Sequence, residues 1–169
     1  MNALKRKNGE ILTISMIFIA IAITVFIFVL AIFMSHINTI LYNFKIDMYT
    51  LNKSAVISIN KGRTSIDDFS YNSFIYKEEF VKELKRNYDL DENLENKNKL
   101  ISNVEIVEYE VYEENKRDSY SKKRCDGRTV HTVVQIKIKP IILANFLEDI
   151  FTFTIHEDVA LNSMIMDKK

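Results

Sequence analysis

From Ile11 to Phe44 the chain carries no charged side chain, and from Ile11 to Met34 it is almost wholly Ile, Phe, Leu, Val, Ala and Met. A helix rises 1.5 Å per residue, so the Ile11–Met34 stretch reaches roughly 36 Å against about 30 Å of bilayer hydrocarbon. The stretch predicts a transmembrane helix over 11–34, with residues 1–10 as a basic leader. Lys5, Arg6 and Lys7 precede the span closely, whereas Lys45 and Lys53 follow at a distance and are diluted by Asp47. That asymmetry places the amino terminus in the cytoplasm and the rest of the chain outside. A secretory signal has a shorter apolar region, of about 7 to 15 residues, and ends in a small-residue cleavage site, and neither condition is met.

Beyond the span, Ile37, Leu41, Phe44, Met48, Leu51 and Ala55 recur alternately four and three residues apart, with polar residues between them. That is a heptad stripe. With no Pro or Gly between Glu10 and Lys61, one helix from near Ile11 to about Asn60 is expected, with 35–61 as its continuation outside the lipid. The stripe suits two partners: the chain's own exported domain, or a neighbouring copy in a coiled coil.

About 100 residues then remain, which is one small domain, assigned here to 62–169. Lys77 to Tyr88 reads as a short helix burying Phe80, Val81, Leu84 and Tyr88, and Asp89 to Lys99 reads as a linker. Val104 to Glu113 reads as a strand with Val107, Tyr109 and Val111 on one face. Thr129 to Lys139 alternates more cleanly, with Val130, Val134, Ile136 and Ile138 opposite His131, Gln135, Lys137 and Lys139. After Pro140, Ile141 to Ile150 suits a short helix, and Phe151, Phe153 and Ile155 alternate as a third strand. The fold class is α+β: a single transmembrane helix extended into a long amphipathic helix and packed with a small antiparallel sheet. Three strands are few for independent stability, so the helix should cover the apolar face of the sheet.

The 23 basic and 23 acidic residues balance, which gives no electrostatic reason to expect a nucleic-acid partner. Cys125 is the only cysteine, so no internal disulfide forms. His36, His131 and His156 are far apart in sequence and show no i, i+4 or HExxH spacing, so no metal site, cofactor or catalytic residue is assigned. His156-Glu157-Asp158 reads as a solvated strand end rather than an acid and base. No nucleophile elbow, P-loop or dinucleotide fingerprint occurs, and an enzyme is not expected. Lys116, Arg117, Lys122, Lys123, Arg124 and Arg128 make the loop between the first two strands strongly positive, a possible contact for anionic wall polymer or lipid headgroups.

The basic leader ending in Gly9, the apolar helix running on into an amphipathic half, and the late strands together resemble the pilin-related proteins of bacterial surface machines. The nearest form is the TadE-like group of the Tad (Flp) pilus system. Lys7-Asn8-Gly9-Glu10 before Ile11-Leu12-Thr13-Ile14 resembles a prepilin-peptidase junction, with Gly9 and Glu10 flanking the cut. Val133 to Pro140 and the apolar segment after it are similar to the ends of those proteins. The resemblance implies a non-enzymatic accessory or minor component of pilus or secretion assembly, with the bilayer and other pilin-like proteins as partners and self-association through the helix. Cutting after Gly9 would put Ile14 where pilins carry a glutamate at the fifth mature position, and this argues against a densely polymerising major subunit. The rival reading is a membrane-anchored binding module using the basic loop at 116–128.

Overall fold

The computed structural model describes residues 2–61, 72–96, 99–139 and 151–161, with backbone alone for residues 2–12. Five elements follow in order: α1 (Asn2–Ile59), α2 (Ser73–Tyr88), β1 (Ile101–Tyr112), β2 (Thr129–Ile138) and β3 (Thr152–Ala160). The fold is α+β, a long apolar helix and a three-stranded antiparallel sheet ordered β1-β2-β3. Gly9 and Glu10 lie in the α1 backbone and their side chains lie outside the described residues, as does the helix expected over 141–150. By packing the chain divides into two compact units, Met1–Asn43 and Phe44–Lys169.

In the first unit every residue from Thr13 to Ile32 is exposed, with Phe18 at 68% and Phe28 at 67%. This stretch is a candidate membrane span, long and apolar enough to cross a bilayer. Thr24 returns its hydroxyl to the Ala20 carbonyl at 2.8 Å, which satisfies its polar group within the helix. Ile37 is buried and Leu41 half-buried.

In the second unit the rest of the heptad stripe is sealed inside. Phe44, Met48, Leu51 and Ala55 are all buried, and Val56 joins them. The Phe44 ring lies 5.0 Å from that of Tyr88 in α2, and the buried Asn52 accepts a hydrogen bond from Thr132 of β2 at 3.2 Å. This part of the stripe therefore docks on the chain's own sheet and second helix. Asn72 caps α2, its side-chain oxygen accepting from the backbone N–H groups of Phe74 and Ile75. Tyr76, Phe80 and Leu84 form the buried face of the helix, and Phe80 meets Tyr109 of β1 at 5.3 Å between ring centres. Val81, expected in the core, is half-buried. Replacing an N-cap Asn by Ala costs about 1 kcal/mol, so Asn72→Ala should lower the unfolding midpoint by a few degrees while Asn72→Ser leaves it in place. Thermal unfolding of the two variants side by side checks this.

Pairing across the sheet sorts its two faces. Tyr109, Thr132 and Glu157 lie in one row and Val111, Val130 and Val159 in the next, on the face that meets the helices. Lys45 of α1 reaches Glu157 there at 3.6 Å. A β-bulge between Ile106 and Glu108 inserts Val107 as an extra residue, so Val107 is 53% exposed and does not share the face of Tyr109 and Val111 as its spacing predicts. Ile106, opposite Val134, takes its place on the helix side. β2 is buried on both faces from Thr129 to Val134 because it is central, and His131, placed by alternation on the polar side, is fully enclosed. β3 runs five residues beyond the cluster Phe151 to Ile155 seen in the apolar pattern, to Ala160. The segment 89–96 is ordered rather than a linker. Asp89 adopts the left-handed conformation that ends α2, the Asp91 carboxylate accepts from the N–H groups of Asn93 and Glu95, and Glu95 bridges to Asn103.

Candidate functional site

The second face of the sheet, away from the helices, carries Glu108, Glu110 and Tyr112 of β1, His131 and Val133 of β2, and His156 and Asp158 of β3. Antiparallel pairing sets Asp158 directly opposite His131 and His156 one step diagonal to it. The loop at 113–128 folds back over this face. It is a small hairpin of its own, with Asn115 and Cys125 exchanging hydrogen bonds with the opposing strand, Arg117 bridged to Arg124, and Asp118 donating its N–H to the Lys123 carbonyl at 2.8 Å. Asn115 and Lys122 take positive φ, the left-handed turns that such a tight path needs.

Asp118 is the loop's inward residue, 2% exposed among neighbours that are open to solvent. Its carboxylate accepts from the N–H groups of Tyr120 at 2.7 Å and Ser121 at 3.0 Å, and from the Ser121 hydroxyl. Burial works against its ionisation, but the hydrogen bonds from Ser121 and Tyr120 outweigh it and hold the group well below the usual carboxylate range. Asp118 thus points a charged carboxylate at the two histidines: 3.2 Å from His156 Nε2 and 3.5 Å from His131 Nδ1. Asp158 completes the group, its Oδ1 at 2.8 Å from His131 Nδ1 and 3.1 Å from His156 Nε2. The two ring nitrogens are 3.2 Å apart.

Around this centre the rings are stacked. Tyr112 lies on His131 with centroids 4.5 Å apart, and Tyr120 lies on His156 at 4.9 Å. On its far side the His131 Nε2 faces Ser119 Oγ at 3.3 Å and Glu108 Oε1 at 3.6 Å. Glu108 accepts hydrogen bonds from the Tyr112 hydroxyl at 2.7 Å and from Ser119. The Tyr112 bond is the main reason that its carboxyl sits low, and burial together with that carboxylate pushes the Tyr112 phenol up to about 12. Burial pulls the His131 imidazole down, yet the bond to Asp158 and the surrounding carboxylates win and raise it. Cys125 is buried with its thiol pushed up by desolvation, which leaves it the inert character of a core residue.

The six basic residues expected to form an anionic-partner surface are partly engaged within the chain. Lys116 pairs with Glu110 at 2.9 Å and stands over the Tyr112 ring, Arg128 pairs with Glu113 at 2.9 Å, and Arg117 Nε donates to the Lys122 carbonyl. Lys122 bonds the Ser119 carbonyl, and Lys123 and Arg124 are exposed on the outer side of the loop. Reasoning from spacing finds no metal-type grouping because each of these histidines stands alone in its own strand. The signal lay in register: once β2 and β3 pair, His131 must face Asp158 and neighbour His156. No family of proteins, no curated protein and no solved structure matches the chain.

Proposed function

We propose that this chain is a single-pass membrane protein with a cytoplasmic amino terminus and an exported α+β domain, acting without catalysis as an accessory, pilin-like component in the assembly of a Tad-type pilus or related secretion apparatus. The observation that carries the reading is the contrast along α1. Thr13 to Ile32 buries nothing, whereas the same helix from Phe44 onward is packed as a core element. A core helix of a soluble protein would bury its apolar face, and lipid is the solvent that removes the need. Apolar helices held in one bilayer associate by close packing, and Ala20, Ala22 and Ala31 allow such approach.

In this role the span keeps the domain beside other membrane helices, and the domain presents a folded surface to assembly partners. The ion pairs at Lys116 and Arg128 count against a rival role as a polyanion-binding module, since those side chains already face Glu110 of β1 and Glu113 at the start of the loop. Tagged full-length protein, purified from cells that build such an apparatus after mild crosslinking, should bring down pilus or secretion components. Recovery of the protein without any of them would remove the assembly role.

A further inference from the structure

We propose that Asp118, His131, His156 and Asp158 form a four-coordinate binding site for a divalent zinc-class metal ion that fastens the loop at 113–128 to the sheet. The inference is independent of the assembly role and stands on the geometry of the second unit alone.

A tetrahedral ion with bonds of about 2.0 to 2.2 Å holds its ligand atoms about 3.3 to 3.6 Å apart. With Oδ2 as the Asp118 ligand atom, four of the six separations run from 2.8 to 3.2 Å, slightly inside those edges, and the four residues can each place one ligand atom within 4.8 Å of the others. That packing brings two ring nitrogens and two carboxylates to one point. His131 Nδ1 sits near Asp158, His156 and Asp118, and His156 Nε2 near the same two carboxylates and the other ring. A neutral His131 that gives its Nε2–H to Glu108 leaves its Nδ1 lone pair facing the Asp158 and Asp118 carboxylates, an arrangement that needs a positive charge between them. One cation at the centre satisfies all four together.

The outer groups agree. A metal-bound imidazole usually gives its other N–H to a carboxylate, which fixes the tautomer and strengthens the ligand. His131 is arranged this way, with Nδ1 inward and Nε2 toward Glu108 and Ser119, and Glu108 is itself anchored by Tyr112. Donor type selects the ion. Calcium takes six to eight oxygens and magnesium an octahedron of oxygens, while two imidazoles with two carboxylates suit zinc and its neighbours. Four protein ligands complete a tetrahedron, so the site is structural, joining one loop residue to two strands.

The test uses the full chain in detergent, stripped with a chelator, desalted, and reloaded with zinc chloride. One zinc per chain should survive desalting, as read by elemental mass spectrometry, and the tyrosine-monitored unfolding midpoint should rise. Cobalt(II) in place of zinc should give the intense visible absorption of a tetrahedral site, which reports coordination in the unaltered chain. His156→Ala and Asp158→Asn should each weaken zinc binding at least 100-fold, and Glu108→Gln by 10- to 100-fold through the outer shell, while Lys123→Ala binds as the parent does. Folded parent protein that retains no zinc and shows no shift with zinc, cobalt or manganese overturns the site. So does zinc binding that is unchanged in His156→Ala, and a weak octahedral cobalt spectrum overturns the four-coordinate assignment.

Discussion

Arginine at Ile19, Ile23 and Phe26 together will expel the protein from membranes, whereas arginine at Ile23 alone will not. Apolar residues favour insertion by about 0.3 to 0.6 kcal/mol each, so the Ile, Leu, Val and Phe residues of 11–34 supply on the order of 7 kcal/mol. One arginine near the helix centre costs about 2.5 to 3.5 kcal/mol and leaves a margin; three exceed the whole driving force. All three positions lie in the stretch that buries nothing within the chain, so the substitutions leave the packing of the second unit untouched. Carbonate-washed membranes and the soluble fraction, probed for the protein, distinguish the two variants. Retention of the triple variant in washed membranes would show that something other than lipid burial holds this chain.

The second large effect is in the folded unit. Phe80 is fully buried between α2 and β1, against the Tyr109 ring, while Phe74, six residues earlier on the same helix, is 66% exposed. Truncating a buried Phe to Ala costs about 3 to 5 kcal/mol, out of the 5 to 15 kcal/mol that a domain commands. Phe80→Ala should therefore lower the unfolding midpoint by roughly 10 to 20 °C, and Phe74→Ala should move it by about 2 °C or less. With eight tyrosines and no tryptophan in the chain, tyrosine fluorescence follows this transition directly. Equal effects at the two positions would mean that α2 does not pack on β1 through Phe80.

Long, strongly periodic segments were the readable part of this chain. The helix expected to end near Asn60 ends at Ile59, and the strand expected over Thr129 to Lys139 runs from Thr129 to Ile138, because repeats of seven and of two persist there over many residues. The four-three spacing from Phe44 to Ala55 marked a buried stripe but could not say what covers it; Thr132 and Tyr88 answer that in three dimensions. Polar residues were the illegible part. Glu157 belongs to the helix side through Lys45, while His156 and Asp158 turn to the loop, so a strand end that reads as solvated is half-buried on both faces. Asp118 looks like one more polar residue in a basic loop, yet its turn hydrogen bonds aim it inward. No local rule connects it to histidines 13 and 38 residues away in the chain.

The bulge at Val107 divides β1 into two frames. Residues before it and residues after it alternate in opposite phase, which lets Val104 and Ile106 join Tyr109 and Val111 on a single side. A descendant that lost one residue there would close the kink and invert the strand's first half, turning Val104 and Ile106 out to water and Glu105 inward. Insertions and deletions at this point are therefore far from silent, and the register of the strand is inherited through a residue whose own side chain contributes little.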